Sequence, residues 1–374
     1  MSFRITQLHL KRFRNHIDSS YEIDPNLTLL WGENAVGKTS IIEAIQLLCE
    51  GSSFRKPTLV EMIHHDHTEG KISLDARSDQ KGVERQRTVE LHLTPPKRNF
   101  TVNSKKVSVA EGITGEIPVV VFTPDHLKLI KDSASRRREE IEGIGRQLSK
   151  NYMRLSKEYL KTLKGRNRLL AEGLSRDPAF DAWTEQLVTL GAALYQHRVK
   201  LLERLGTLTK EQHADLDATC DLETTYVNNW GARPEADRAE LEEAFFDVLA
   251  QQTAYEMARK TTVVGPHRDD IVFLLDGHDA RAFGSQGQQR TIALSWKLAQ
   301  IDLIRELRGT DPVLLLDDVM SELDQARRDA LVAKVGEDSQ TIITTTNIHY
   351  FDPSLIRRAH LIEITKKGGE NDRQ

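Results

Sequence analysis

The segment Gly32-Glu33-Asn34-Ala35-Val36-Gly37-Lys38-Thr39 satisfies G-x-x-x-x-G-K-[ST] at every fixed position. This pattern needs a buried strand before it and a helix after it. Its glycines let backbone N–H groups turn toward phosphate oxygens, and the helix N-terminus faces the same anion. Both flanks comply. Residues 26–31 form a short apolar run, and Ile41, Ile42, Ala44, Ile45, Leu47 and Leu48 follow at helical spacing. The expected ligands are ATP and Mg2+. Gly32, Asn34, Gly37 and Ser40 belong to the phosphate loop and the helix start. Lys38 is expected at the β- and γ-phosphates, and the Thr39 hydroxyl at the metal.

A metal of this kind needs a second acidic element. Val313-Leu314-Leu315-Leu316 reads as a buried parallel strand that ends in Asp317-Asp318. Asp317 is expected to hold Mg2+, directly or through water. Asp318 is either the catalytic carboxylate that positions the attacking water, with Lys38 beside it, or a second structural carboxylate. Lys38 and Asp317 lie 317 − 38 = 279 residues apart, so a large insertion separates the two halves of the site.

The intervening pattern says what that insertion is. Strand-like runs occupy residues 3–10 and 26–31. Residues 72–109 read as a β-meander with a turn at 103–106, and residues 117–122 as one more buried strand. From 133 to about 259 the chain turns charged and helical in period. Strand, helix, strand and helix patterns and then two further strands return between 271 and 364. The expectation is one α/β head built from residues 1–132 and 261–374, with a helical domain, 133–260, inserted in it.

Composition narrows the partners. A net charge of −4 excludes a uniformly basic nucleic-acid binder, so any DNA contact must be a local patch. One such patch is visible. Arg146, Lys150, Arg154, Lys157, Lys161, Lys164 and Arg168 recur at steps of three and four, which places them on one helix face. Leu148, Tyr152, Leu155, Tyr159 and Leu163 take the other face, and Glu158 is the sole acid within the span. Such a stripe either tracks DNA phosphates or is a solvated surface. Two cysteines, Cys49 and Cys220, make neither a disulfide framework nor a zinc site, which fits a reducing cytoplasm. No apolar run is long enough for a membrane span.

Phe283-Gly284-Ser285-Gln286-Gly287-Gln288-Gln289-Arg290 reads by itself as a helix cap, Ser285 with Gln288 three residues on. Its place between a phosphate loop and an apolar Asp-Asp strand changes that reading. There its Ser-x-Gly-Gln core resembles the signature of ABC-type ATPases, and Ser321-Glu322-Leu323-Asp324 resembles their D-loop. Within that superfamily the chain resembles the RecF family of bacterial repair proteins nearly end to end. The strings that carry this are Phe13-Arg14-Asn15-His16, Val121-Phe122-Thr123-Pro124, Arg136-Arg137-Arg138, Arg166-Asn167-Arg168-Leu169-Leu170, Val264-Gly265-Pro266-His267-Arg268-Asp269-Asp270, the signature segment and the strand through Asp324.

The resemblance implies an ABC-type ATPase head with a β-meander subdomain and an inserted helical lever arm. It implies that Arg14 and Asn15 contact nucleotide from an early loop. It implies that Ser285, Gly287, Gln288 and Asp324 reach the nucleotide of a second copy, in an ATP-dependent homodimer holding two ATP molecules. It further implies weak, DNA-stimulated ATP hydrolysis on double-stranded or gapped DNA, and cooperation with RecR and RecO in loading RecA. The chain departs from the family at Asp125-His126, at Glu139-Glu140-Ile141 and at Asn347. Two other functions fit less of the sequence: a non-catalytic ATP-gated scaffold, and a transporter ATPase subunit, which the charged helical insert and Pro124 oppose. His267 is expected to order a turn.

Overall fold

The computed structural model describes residues 3–80, 83–109, 113–175, 177–334 and 339–365. Two compact units emerge, Met1–Leu127 with Lys297–Gln374, and Lys128–Trp296.

The first unit holds two sheets. One is parallel, in the order β14-β3-β13-β12-β8, from β3 (Leu27–Trp31), β8 (Val119–Phe122), β12 (Val313–Asp317), β13 (Thr341–Thr345) and β14 (His360–Glu363). The strand residues of β8, β12 and β13 are buried throughout, as expected where both faces of a parallel strand are covered. The other is antiparallel, β2-β1-β4-β5-β6-β7, from β1 (Arg4–Phe13), β2 (His16–Glu22), β4 (Gly70–Gln80), β5 (Val83–Thr94), β6 (Lys97–Val102) and β7 (Lys105–Val107). Helix α1 (Lys38–Glu50) packs against strands of both sheets. That explains why it buries even Glu43 and Gln46 rather than a single stripe. A short helix, α2 (Leu59–Met62), follows it.

One side chain stitches the ends of this unit together. Gln340, just before β13, accepts from the Ile5 N–H at 2.7 Å and donates to the Ile5 and Asp24 carbonyls. The bonds fall where the β1–β4 register slips between Ile5 and Gln7. Three backbone polar groups are thereby satisfied by one amide.

The second unit is mainly helical: α3 (Ala134–Leu148), α4 (Lys150–Glu172), α5 (Pro178–Leu216), α6 (Arg238–Arg259) and the short α7 (Ala280–Phe283). Its core gathers Tyr159, Leu187, Tyr195, Trp230 and Phe245. Helix α8 (Gln286–Arg308) begins in this unit and ends in the first; α9 (Gln325–Lys334) and α10 (Pro353–Arg358) belong to the first.

The boundary differs from the expected 260/261. Residues 261–296 belong to the helical unit because β9 (Leu222–Val227), a strand inside a stretch read as helical, pairs antiparallel with β10 (Asp270–Leu275). β11 (His278–Asp279) completes that sheet. Asp270 also takes a two-pronged bond from Arg137 of α3, both arms at 2.8 Å. Among the described residues no helix is long and apolar enough to cross a membrane.

Candidate nucleotide-binding site

Strand β3 delivers the loop, and α1 leaves it. Gly37 sits at φ +113, and a Cβ there would meet Asn15 Nδ2 and His16 Nε2 at 2.6 Å each. Only glycine fits both the angle and the space. Gly32, at φ +151, is likewise pressed against the Ile364 carbonyl. Asn15 Nδ2 donates to the Val36 carbonyl at 2.8 Å, and His16 Nε2 faces the Gly37 carbonyl at 3.3 Å. Burial lowers the His16 pKa, so the ring is neutral: Nε2 donates to Gly37 while Nδ1 accepts from the Tyr21 hydroxyl. The β1–β2 turn therefore holds the loop from one side.

Lys38 Nζ donates to the Gly32 and Glu33 carbonyls, 2.7 Å each. These bonds hold the ammonium across the mouth of the loop. The cavity there is about 280 Å³. Its lining includes Asn15, Asn34, Gly37, Thr39 and Ser40 with Lys38, and also Arg55, Asp318 and Thr344. Every one of these residues lies in the first unit.

The two acids come from the end of β12. Asp317 is buried and accepts from the Thr344 hydroxyl at 2.8 Å. Burial raises the pKa of its carboxylate, and the neighbouring Thr344 and Thr39 hydroxyls oppose that rise. The two oxygen groups expected at the metal therefore lie beside one another. Hard oxygen donors on a desolvated anion suit Mg2+. Asp318 adopts the left-handed region at φ 50, with its N–H on the Thr344 hydroxyl at 2.9 Å. Burial raises its pKa, while the Lys38 charge opposes that rise. Lys38 is lowered by burial and held up in turn by Asp318 and Asp317. Ammonium and carboxylates are poised as a mutually supported set.

Arg14 differs from expectation. Its guanidinium clasps Glu43 of α1 at 2.9 and 2.7 Å and donates to the Glu61 carbonyl, and it is absent from the cavity lining. A bidentate pair with a fully buried carboxylate outcompetes an open cavity for that side chain. Arg55 takes the place instead, with Nη1 3.7 Å from the same Glu43. Sequence reading missed Arg55 and Thr344 because no motif spacing marks them.

Ser285 and Gln288 form the predicted reciprocal cap. Ser285 N donates to Gln288 Oε1 at 2.9 Å, and Gln288 N to Ser285 Oγ at 3.2 Å. Gly287 follows in the first turn of α8. Ser285 stays exposed, and Phe283 before it is 77% exposed. Asp324 is exposed at the head of α9, where it accepts from Arg327 N and pairs with the Arg327 guanidinium.

The basic stripe holds with one correction. Lys150, Arg154, Lys157, Lys161, Lys164 and Arg168 are all exposed along α4, while Tyr152, Tyr159 and Leu163 are buried on its other side. Arg146 is not on that face. The helix breaks at Ser149 (φ −142), whose hydroxyl caps α4 through Tyr152 N, so Arg146 ends a different helix and folds back on the Glu142 carbonyl. Ser149 is a good N-cap, and an N-cap interrupts a continuous period.

Comparison with known proteins agrees with this geometry. The family described as RecF/RecN/SMC N terminal domain matches residues 4–369. The DNA replication and repair protein RecF of Synechococcus sp. (strain JA-3-3Ab) is 34% identical over 363 residues, covering 96% of this chain and 95% of its own. The chain belongs to the RecF family. RecF of Halalkalibacterium halodurans is also 34% identical, over 96% of this chain and 97% of its own. A solved structure described as the recombination mediator protein RecF-ATP in the RecFOR pathway superposes with TM-score 0.89 at 29% identity, covering 98% of this chain and 96% of the other. The Smc head of Pyrococcus furiosus, at TM-score 0.56 and 15% identity, shares the fold. The molecule is thus a DNA replication and repair protein with the mixed α/β architecture of RecF and Smc-head ATPases.

Several RecF strings turn out to be structural. In the Gly265-to-Asp270 string, His267 receives the Tyr159 hydroxyl on Nδ1 at 2.7 Å and faces the Thr262 carbonyl through Nε2 at 3.1 Å. Burial drops its pKa to about 4, so it is a neutral turn-former. Arg166 is buried against Glu256, Nη2 to Oε2 at 2.7 Å, an ion pair lacking hydrogen-bond alignment. Two departures from the RecF pattern also have local roles. His126 Nδ1 accepts from Thr123 N at 2.9 Å, and Asn347 accepts from His349 N at 2.9 Å, each closing a short turn.

Proposed function

We propose that this RecF-family chain binds Mg2+ and ATP in the β3–α1 cavity and that ATP closes two copies around DNA. Lys38 binds the β- and γ-phosphates, with Asn34, Gly37, Thr39 and Ser40 around them and Arg55 at the rim. Thr39 and Asp317 hold the metal, which supplies charge neutralisation at the phosphates. Asp318 orients a water toward the γ-phosphorus and takes its proton. The new bond is oxygen to γ-phosphorus, and the bridging oxygen leaves with ADP. This is a slow ATPase, and hydrolysis releases the DNA.

The observation that supports the dimer is the reciprocally capped turn of Ser285 and Gln288, in which Ser285 is exposed at the start of α8. Exposed Asp324 supports the same reading. Each cavity is then completed by Ser285, Gly287, Gln288 and Asp324 of a second copy. The six-cation face of α4 supplies sequence-independent contacts to double-stranded or gapped DNA. The RecFOR pathway named for the solved relative supports RecO and RecR as partners.

Sedimentation with ATP and Mg2+ tests the dimer. Ser285→Arg is expected to keep ATP binding and lose the dimer; dimers as abundant as in the parent refute the shared site. Turnover tests the chemistry. Asp318→Asn is expected to bind ATP and stop hydrolysis, and an unchanged rate makes the protein an ATP-gated scaffold.

A further inference from the structure

The second unit carries a recess of about 470 Å³ where α6 ends and the Gly265 string begins. That volume lies within the roughly 300–1,000 Å³ typical of small-ligand sites. Two guanidiniums, Arg259 and Arg268, line it, and no carboxylate does. The sequence around it is not short of acids. Glu256, Asp269 and Asp270 all lie within a few residues, but each is committed elsewhere. Glu256 is buried on Arg166, Asp269 is buried and takes the Tyr226 hydroxyl at 2.9 Å, and Asp270 is clasped by Arg137. The Arg268 side chain is exposed and makes no hydrogen bond or ion pair among the described residues. Folding has therefore sorted a mixed-charge segment into a neutralised interior and an unopposed cationic recess.

The rest of the lining suits a base as well as a phosphate. Tyr255 is 48% exposed, and the Arg259 guanidinium lies 5.3 Å from its ring centroid with Nε on the Tyr255 hydroxyl at 2.9 Å. The ring is thereby held in place by a cation while keeping open surface. Val263 and Val264 add apolar side chains to the lining and Gln252 an amide. This part of the lining is rigid. Asn229 accepts from Gly265 N and donates to the Val263 carbonyl, and Gly265 at φ +118 leaves no room for a Cβ against Phe245.

We infer that this recess takes one nucleotide of a single DNA strand, with its phosphate on Arg268 and its base against Tyr255. Paired and stacked bases in a duplex cannot present a face to a ring inside a recess, whereas a single strand offers both base face and phosphate. The inference rests on the DNA-binding reading above and adds to it a site that distinguishes a gap's unpaired strand from its flanking duplex.

The test is fluorescence anisotropy of the full chain with ATP, using a labelled oligothymidine strand and a labelled duplex. Tyr255→Ala and Arg268→Gln are each expected to weaken single-strand binding about tenfold, in line with base–aromatic stacking elsewhere. Duplex binding stays within about twofold, which also reports that the unit is folded, and Tyr255→Phe keeps single-strand binding. Unchanged single-strand affinity in both variants, or an equal loss on duplex, overturns the site. So does a poly-glutamate peptide that binds with the same dependence on Arg268 but none on Tyr255, which assigns the recess to an acidic protein segment. A parent protein that binds duplex but no single strand overturns this inference alone. One that binds neither overturns the DNA-binding reading beneath it.

Discussion

Replacing Lys157, Lys161 and Lys164 together with glutamine asks whether the exposed face of α4 meets DNA. Glutamine removes charge with little cost in helix propensity, so the helix survives the change. From Lys150 to Arg168 the helix rises 18 residues, roughly 27 Å at 1.5 Å each. A duplex carries about one phosphate charge per 1.7 Å of that length, so six cations find partners without crowding. Arg168 pairs with Glu172 at 2.8 Å and Lys161 lies 3.8 Å from Glu158. These pairs are exposed, so they give way readily to phosphate. If all six cations engage, the slope of log affinity against log salt is about −0.9 × 6, or −5.4. Raising salt from about 50 to 200 mM then weakens duplex binding about 2,000-fold. With three cations left the slope is about −2.7 and the same change costs about 40-fold. Anisotropy titrations across a salt series, with ATP present, measure both slopes. A slope that changes by less than about one unit refutes the assignment, since a single lost phosphate contact already accounts for that much.

Three further outcomes concern single side chains. Arg166→Met strands the Glu256 carboxylate and is expected to destabilise the second unit by about 3–5 kcal/mol, whereas Arg166→Met with Glu256→Met recovers most of the loss; hydrogen exchange in α4 and α6 measures both, and a double variant no better than the single one contradicts the account. His267 has a folded pKa of about 4 against an ordinary 6.5, so the unfolded chain binds the extra proton first. Stability is full above pH 6.5 and falls as pH drops toward 4, by up to about 1.4 kcal/mol per pH unit. His267→Gln is expected to flatten that dependence in acid unfolding curves. Arg55→Ala is expected to weaken ATP binding about tenfold, the worth of a charge-assisted bond of about 1.4 kcal/mol. Arg14→Ala acts mainly on thermal stability, because it leaves Glu43 buried with fewer donors; calorimetry and nucleotide titration on both variants separate the two arginines.

The nucleotide site was legible because its determinants are local. A strand, a loop that needs Gly32 and Gly37 to pass through positive φ, and a helix are encoded within some twenty consecutive residues, and the Asp317–Asp318 strand announces itself by four apolar neighbours. The Ser285–Gln288 cap is local for the same reason. The basic face was legible as a period and misjudged only at Ser149, where one side-chain-to-backbone bond starts a new helix.

What the sequence alone determined, then, was which residues form the phosphate loop, the acidic strand and the cationic face. Tertiary structure decided which charges remain available. Arg14 is taken by Glu43, Arg166 by Glu256 and Arg137 by Asp270, and the pairing of Leu222–Val227 with Asp270–Leu275 moves residues 261–296 into the helical unit. Those partners are far apart in the chain, between 29 and 133 residues for the three ion pairs. No local pattern records them, because a buried charge must find its counter-ion wherever folding brings one.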